Sequence, residues 1–228
     1  AIAALAFTAC SDDDDNNQTP PIPSLTIPSE YLSPNYDTNV ATENIVMNEL
    51  AAMTTDANEA EENAQNSMVS PIEYPSNLSS VTLPAYRTLV QEWLGELGNS
   101  ANSPDGLQNP GLGGTVDSNQ EGGLLGSRLL DEYGLELEQM IQKGSFGAAC
   151  YNHAVSVINS SDLSTDDIDK LVEIHGAEIT FDPENTTAAA TYSKRRSNVE
   201  QGNGFFFDIR DNLITAKAAI EGGAIFNS

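Results

Sequence analysis

Basic residues are scarce in this chain. Nine Lys and Arg stand against 34 Asp and Glu, a formal charge of −25 over 228 residues. A surface of that sign repels phosphate backbones, which excludes nucleic acid as a partner. Histidine is nearly absent too. Two copies rule out a multi-histidine metal centre, and the zinc-protease pattern His-Glu-x-x-His does not occur. Also missing are a Gly-x-Ser-x-Gly elbow, a P-loop and a dinucleotide fingerprint. The apolar opening AIAALAFTA, residues 1–9, is far too short to cross a bilayer, which takes about 20 residues. Cysteine appears twice, at Cys10 and Cys150.

What is present begins at Cys10, between that apolar opening and Ser11-Asp12-Asp13-Asp14-Asp15. Residues 1–9 read as the remainder of a signal-peptide apolar region, with the small pair Thr8-Ala9 at the cleavage position. Phe7-Thr8-Ala9-Cys10 resembles a bacterial lipobox, with Phe7 where Leu is usual, and that resemblance implies acylation of Cys10. Diacylglycerol plus an amide-linked chain supplies at least two acyl chains, and at about 0.8 kcal/mol per buried methylene that is stable anchoring. Four aspartates would not be buried beside a structural cysteine. The block Ser11–Asp15 resembles the acidic tag of Bacteroidota lipoproteins, which implies export to the outer face of the outer membrane. A plain acidic spacer, with the protein kept on the periplasmic face, is the alternative. An acylated Cys10 leaves Cys150 without a disulfide partner, so it reads as a buried thiol. Residues 10–34, rich in Pro, Ser and Asn, read as an extended lipidated tether, and residues 35–228 as one folded domain or two small helical halves.

The body reads as all-α, a helical bundle built from antiparallel helical hairpins. Helical spacing of apolar residues predicts helices over Thr38 to about Glu61, Thr82 to Leu97, and Ser127 to Gln142. Pro84 suits a first turn. Lys143-Gly144 reads as the end of the third helix, so the next, starting near Phe146, folds back as a hairpin. Ser164 with Asp167 forms a capping signature for a helix stopping at Gly176. Residues 178–198 read as a polar excursion, and a last helix is expected from about Phe205 to Ile220. The Gly/Asn/Ser/Pro-rich stretch from Gly98 to Gly123 reads as a loop. The abrupt start and end suggest a fragment.

Residues 133–159, YGLELEQMIQKGSFGAACYNHAVSVIN, carry Gly134, Glu136, Gln139, Lys143-Gly144 and Gly147-Ala148. In this pattern they resemble a family of secreted Bacteroidota lipoproteins known as domain of unknown function 4856. Tyr31 through the Glu49-Leu50 helix and Trp93 also sit in matching places, so the resemblance covers most of residues 25–228. It implies an all-helical secreted domain and no particular reaction. More distantly, Gly134, Glu136 and Gln139 hold the spacing of the Gly-x-His-x-x-Glu motif of imelysin-like proteins. Glu replaces His and Gln replaces Glu, which removes the imidazole ligand.

Several candidate sites follow. On one helix Glu136 and Gln139 would lie about 60° apart and share a ligand or metal, or else be ordinary surface polar groups. Cys150 and His153, three apart, could reach one metal, although His153 among apolar neighbours reads first as a hydrogen-bonded core residue. His175 with Glu178 has no partner pattern. Asp162, Asp166, Asp167 and Asp169 could gather calcium, but acids in a first turn are ordinary capping chemistry. Three classes of function stay open. The favoured one is an outer-membrane, surface-exposed envelope protein that binds a nutrient, metal complex or protein partner. The others are an enzyme using Glu136 with Glu132 or Asp131, and a passive structural component. No cofactor is indicated.

Overall fold

The computed structural model describes residues 25–64, 68–102 and 122–223. Cys10 and Ser11–Asp15 lie outside them. The described residues are predominantly helical. Helices α1 (Tyr36–Asn39), α2 (Ala41–Asn63), α3 (Ser76–Val81) and α4 (Pro84–Ala101) form the first half. In α2 the buried side chains Val46, Leu50, Met53, Ala57 and Ala60 recur every three or four residues, the stripe of a helix with one face in a core. Pro84 opens α4, where its missing N–H leaves no bond unmade.

The helix expected over Ser127 to Gln142 forms only from Leu137 onward. A short hairpin, β1 (Gly123–Leu125) and β2 (Arg128–Leu130), pairs Gly123 with Leu130 and Leu125 with Arg128. Its two-residue loop is Gly126-Ser127, and Gly126 sits at φ 64, which an L side chain rarely adopts. Asp131 then accepts N–H bonds from Tyr133 (2.9 Å) and Leu135 (2.7 Å), closing a turn through Gly134 at φ 85. Helix α5 (Leu137–Gln139) therefore starts ten residues later than the spacing suggests.

The hairpin expected at Lys143-Gly144 is absent as well. From α5 the chain passes through a π-helical turn, Met140–Gly144, directly into α6 (Ser145–Ile158). Gly144 keeps right-handed helical angles, φ −66 and ψ −44. Its role is close packing: a Cβ there would meet the Trp93 ring at 2.7 Å. Lys143-Gly144 is thus a helix interior against an aromatic ring.

After α6, α7 (Thr165–His175) has the expected capping box, Ser164 with Asp167, and stops at Gly176 with φ 86. The stretch read as a polar excursion holds α8 (Ala188–Lys194), anchored by the buried Ala190. A two-residue ladder, β3 (Ser197–Asn198) with β4 (Asn203–Gly204), leads into α9 (Phe205–Glu221).

Two cores result. One joins α2, α4, β2, α5 and α6 through Met53, Leu97, Leu129, Leu137 and Ile141. The other joins Tyr31 and α1 to α7 and α9 through Val172, Phe181 and Phe206. The second surrounds a fully buried carboxylate. Asp169 accepts bonds from Tyr31 Oη and Ser33 Oγ (both 2.6 Å), Asn39 Nδ2 (2.8 Å) and Lys217 Nζ (2.6 Å). Burial by itself would raise its pKa, but Lys217, Ser33 and Tyr31 hold the carboxyl below the ordinary range. Packing therefore begins at Tyr31, within the stretch read as tether.

Replacing Lys217 by Met removes the only cation on this carboxylate among the described residues. Stability should fall by about 3–5 kcal/mol, as for other buried charges stripped of their partner. Urea denaturation checks this, and an unchanged midpoint would show that the pair contributes nothing to stability.

Candidate functional site

Helix α2 and the helical rod from Leu137 to Ile158 run antiparallel, as three contacts show. His153 Nε2 lies 3.3 Å from Glu43 Oε1, and Cys150 Sγ lies 3.8 Å from Met47 Sδ. At the far end Arg128 bridges Glu61 of α2 (3.2 Å) and Glu136 (3.1 Å). The π-turn accordingly lies beside the middle of α2, near Thr54.

Between α2, this turn and residues 173–195 opens a cleft of about 1120 Å³. One wall is α2 from Asn44 to Thr54, with Tyr36 and Asp37 beyond its start. A second is Gln139, Gln142, Lys143 and Phe146. The third runs from Glu173 through the Gly176–Ala188 connection to Arg195.

Charge is distributed unevenly along it. At the start of α2, Glu173 accepts from Tyr36 Oη (3.1 Å) and Asn44 Nδ2 (3.3 Å). Burial, reinforced by Glu173, raises the Tyr36 phenol pKa, so Tyr36 stays a neutral donor. Beside the π-turn the Phe146 and Tyr192 rings stack, with centroids 4.9 Å apart and planes 13° apart. The Arg195 guanidinium lies over Tyr192 at 5.2 Å. Neither Lys143 nor Arg195 has an ion-pair partner among the described residues, although five of the chain's nine cations do.

Two costly backbone features border the cleft. The π-turn is one, a geometry that recurs at functional sites. Ala188 is the other, held at φ 41, where a non-glycine residue is strained by roughly 1–3 kcal/mol. Both present side chains to the same space.

Glu136 and Gln139 are not brought together. Glu136 is in extended backbone (φ −79, ψ 99), bridged to Leu130, and its carboxylate faces Arg128. The 60° helical offset does not apply because the helix starts one residue later. Gln139 alone reaches the cleft rim, bonded to Lys143 and to Glu138. Glu138, almost fully buried, is the carboxylate that sequence spacing does not single out. Glu132 and Asp131 make no pair with Glu136, since Asp131 closes the preceding turn.

Cys150 and His153 each face a different residue of α2, and burial pushes the Cys150 thiol up to about 12. For Glu43, burial acts to raise the pKa, but the His153 bond, a backbone N–H and the charges of His153 and Lys170 together outweigh it and the carboxyl is lowered. Of the aspartates after α6, Asp167 caps α7 and pairs with Lys170, while Asp166 and Asp169 share Asn39 Nδ2 as a donor and Asp169 sits in the second core. Among the described residues no group of three or more His, Cys, Asp and Glu is placed to hold a metal. His175 bonds Ser193 Oγ at 3.2 Å behind the third wall, and Glu178 lines the cleft.

Burial lowers the His175 pKa from 6.5 to about 4. The unfolded chain therefore binds the extra proton first. The stability that His175 contributes is complete above pH 6.5 and drains away as pH falls from 6.5 to 4, by up to about 3 kcal/mol. His175→Gln should flatten the stability profile in that window, measured by urea titrations at stepped pH. A profile with unchanged slope would place the acid sensitivity elsewhere.

No family model matches the chain, and neither the curated proteins nor the solved structures include a match.

Proposed function

We propose that this protein is a lipid-anchored binding protein of the bacterial envelope, displayed on the outer face of the outer membrane, and that its ligand occupies the cleft beside α2. The cleft carries this reading. It is slightly larger than the usual ~300–1,000 Å³ of a small-molecule site, and it mixes apolar side chains with a few directed polar groups. The strained Ala188 and the π-turn both border it, and strain held at a surface cleft is a mark of function. Cys10, its lipobox-like approach and Ser11–Asp15 support the anchor and the address. The resemblance to the Bacteroidota lipoprotein family points to the same compartment. No helix among the described residues is long and apolar enough to cross a membrane.

A binder accounts for the arrangement better than an enzyme. Of the three carboxylates considered for acid–base work, Glu136 is engaged by Arg128 and Asp131 by its own turn, so Glu132, which keeps one buried oxygen unbonded among the described residues, has neither of them as a free partner. Paired-carboxylate chemistry needs one free acid beside another.

Protein isolated from its native membranes without chelator should carry a non-covalent adduct in native mass spectrometry. Ala51, exposed and lining the cleft, is the position to block. Ala51→Trp should abolish the adduct without changing the melting temperature. The same adduct on the variant, or a clean mass on both proteins, sinks the cleft reading. Independently, Cys10→Ala should move the protein from the membrane to the soluble fraction, and an unchanged membrane fraction would remove the anchor.

A further inference from the structure

The charged residues lining the cleft are Asp37, Lys143, Glu173, Glu178, Glu184 and Arg195. Asp37 and Glu173 stand at its start, fixed there by the Tyr36 and Asn44 bonds to Glu173. Lys143 and Arg195 gather around the Phe146–Tyr192 stack, opposite the Thr54 end. From Asn44 to Thr54 is ten residues of helix, about 15 Å at 1.5 Å each. Glu178 and Glu184 stand on the third wall, Glu184 paired with Lys194 at 3.1 Å, so the two cations mark one end while the acids are not confined to the other.

Two of the four basic residues without an ion pair among the described residues line this cleft. With 34 acids available, a basic side chain finds a carboxylate easily, and five of nine do so. Lys143 and Arg195 have none among the described residues. Tyr192 holds the Arg195 guanidinium carbon 5.2 Å from its ring centroid, and the guanidinium carries an edge of N–H donors. That edge is the part that grips a carboxylate with two parallel bonds.

We propose that the cleft takes a short peptide with free termini, extended along α2, its carboxylate at Arg195 and Lys143 and its ammonium at Asp37 and Glu173. The proposal rests on the cleft being the ligand site. An extended chain rises about 3.3 Å per residue, so 15 Å corresponds to four or five residues. Between the charged ends the wall offers carboxamides, which present a donor and an acceptor as a peptide unit does. Asn48 donates to Asn44 Oδ1 at 2.8 Å, and its own carbonyl oxygen accepts nothing among the described residues. Gln142 makes no side-chain bond among them. A saccharide fits less well. Its usual platform is an open aromatic face, and Tyr192 has Phe146 on one face, which confines Arg195 to the other.

The test is native mass spectrometry of the purified full chain with tetra- and pentapeptides of Ala, Ser and Leu. Each is supplied with free termini and as its C-terminal amide, beside a neutral and a uronic-acid tetrasaccharide. Free-terminus peptides should be retained, and amidation should weaken them about tenfold, the scale of one charge-assisted hydrogen bond. Arg195→Ala should weaken the free form by a similar factor and leave the amide unchanged. Equal retention of acid and amide, equal weakening of both by Arg195→Ala, or preference for either saccharide would overturn the peptide assignment while leaving the cleft as the binding site. Retention of no probe overturns the assignment too. The endogenous adduct, with its sensitivity to Ala51→Trp, then decides separately whether the cleft reading also falls.

Discussion

The buried carboxylate of Asp169 is the contact on which the rest of the structure depends. It draws together Tyr31 and Ser33 before the first helix, Asn39 in α1, α7 itself and Lys217 of α9. A dry carboxylate would be intolerable without such a ring of donors, so each partner is tied to one position. Lys217 also lies over the Tyr31 ring at 4.8 Å, which shields the pair further. The ends of the described chain are thereby held against α7, and the first turns of α2 with them.

The cleft is a consequence of that fixation. Once α1 is seated on α7, Tyr36 and Asn44 can reach Glu173, which sets the acidic end. The other end depends on a different core. Trp93 of α4 presses on Gly144, and the π-turn passes α2 at the depth where Lys143 and Phe146 face the opening. Two cores, built from different parts of the chain, supply opposite ends of one concave surface. A binding site in the seam between packed units is a common outcome, because side chains there cannot all be covered by their own neighbours.

Much of the helical content was readable directly. Pro84, the Ser164–Asp167 box and Gly176 act through bonds within a few residues, and the structure places each where local chemistry requires. The errors lie where a distant partner overrode the local signal. Lys143-Gly144 has the form of a helix end, but the glycine serves the Trp93 ring, fifty-one residues earlier. Leu130, Tyr133 and Leu137 match a helical period, yet Gly126-Ser127 between two Leu-rich pairs was a hairpin cue of the same range, and it prevailed. Glu136 and Gln139 lost their shared face for that reason. Glu173 carries no local mark, since its partners Tyr36 and Asn44 lie more than a hundred positions earlier in the chain.

By itself the sequence determined the helical class, the acidic surface, the ends of α7 and the start of α4, because periodicity, net charge and capping are properties of neighbouring residues. Only the tertiary structure decided that Asp169 is a core residue instead of a capping acid, and that Lys143 and Arg195 line one cleft. Burial and charge proximity are set by which helices pack, and packing joins residues separated by more than a hundred positions in some cases, such as Tyr31 and Asp169.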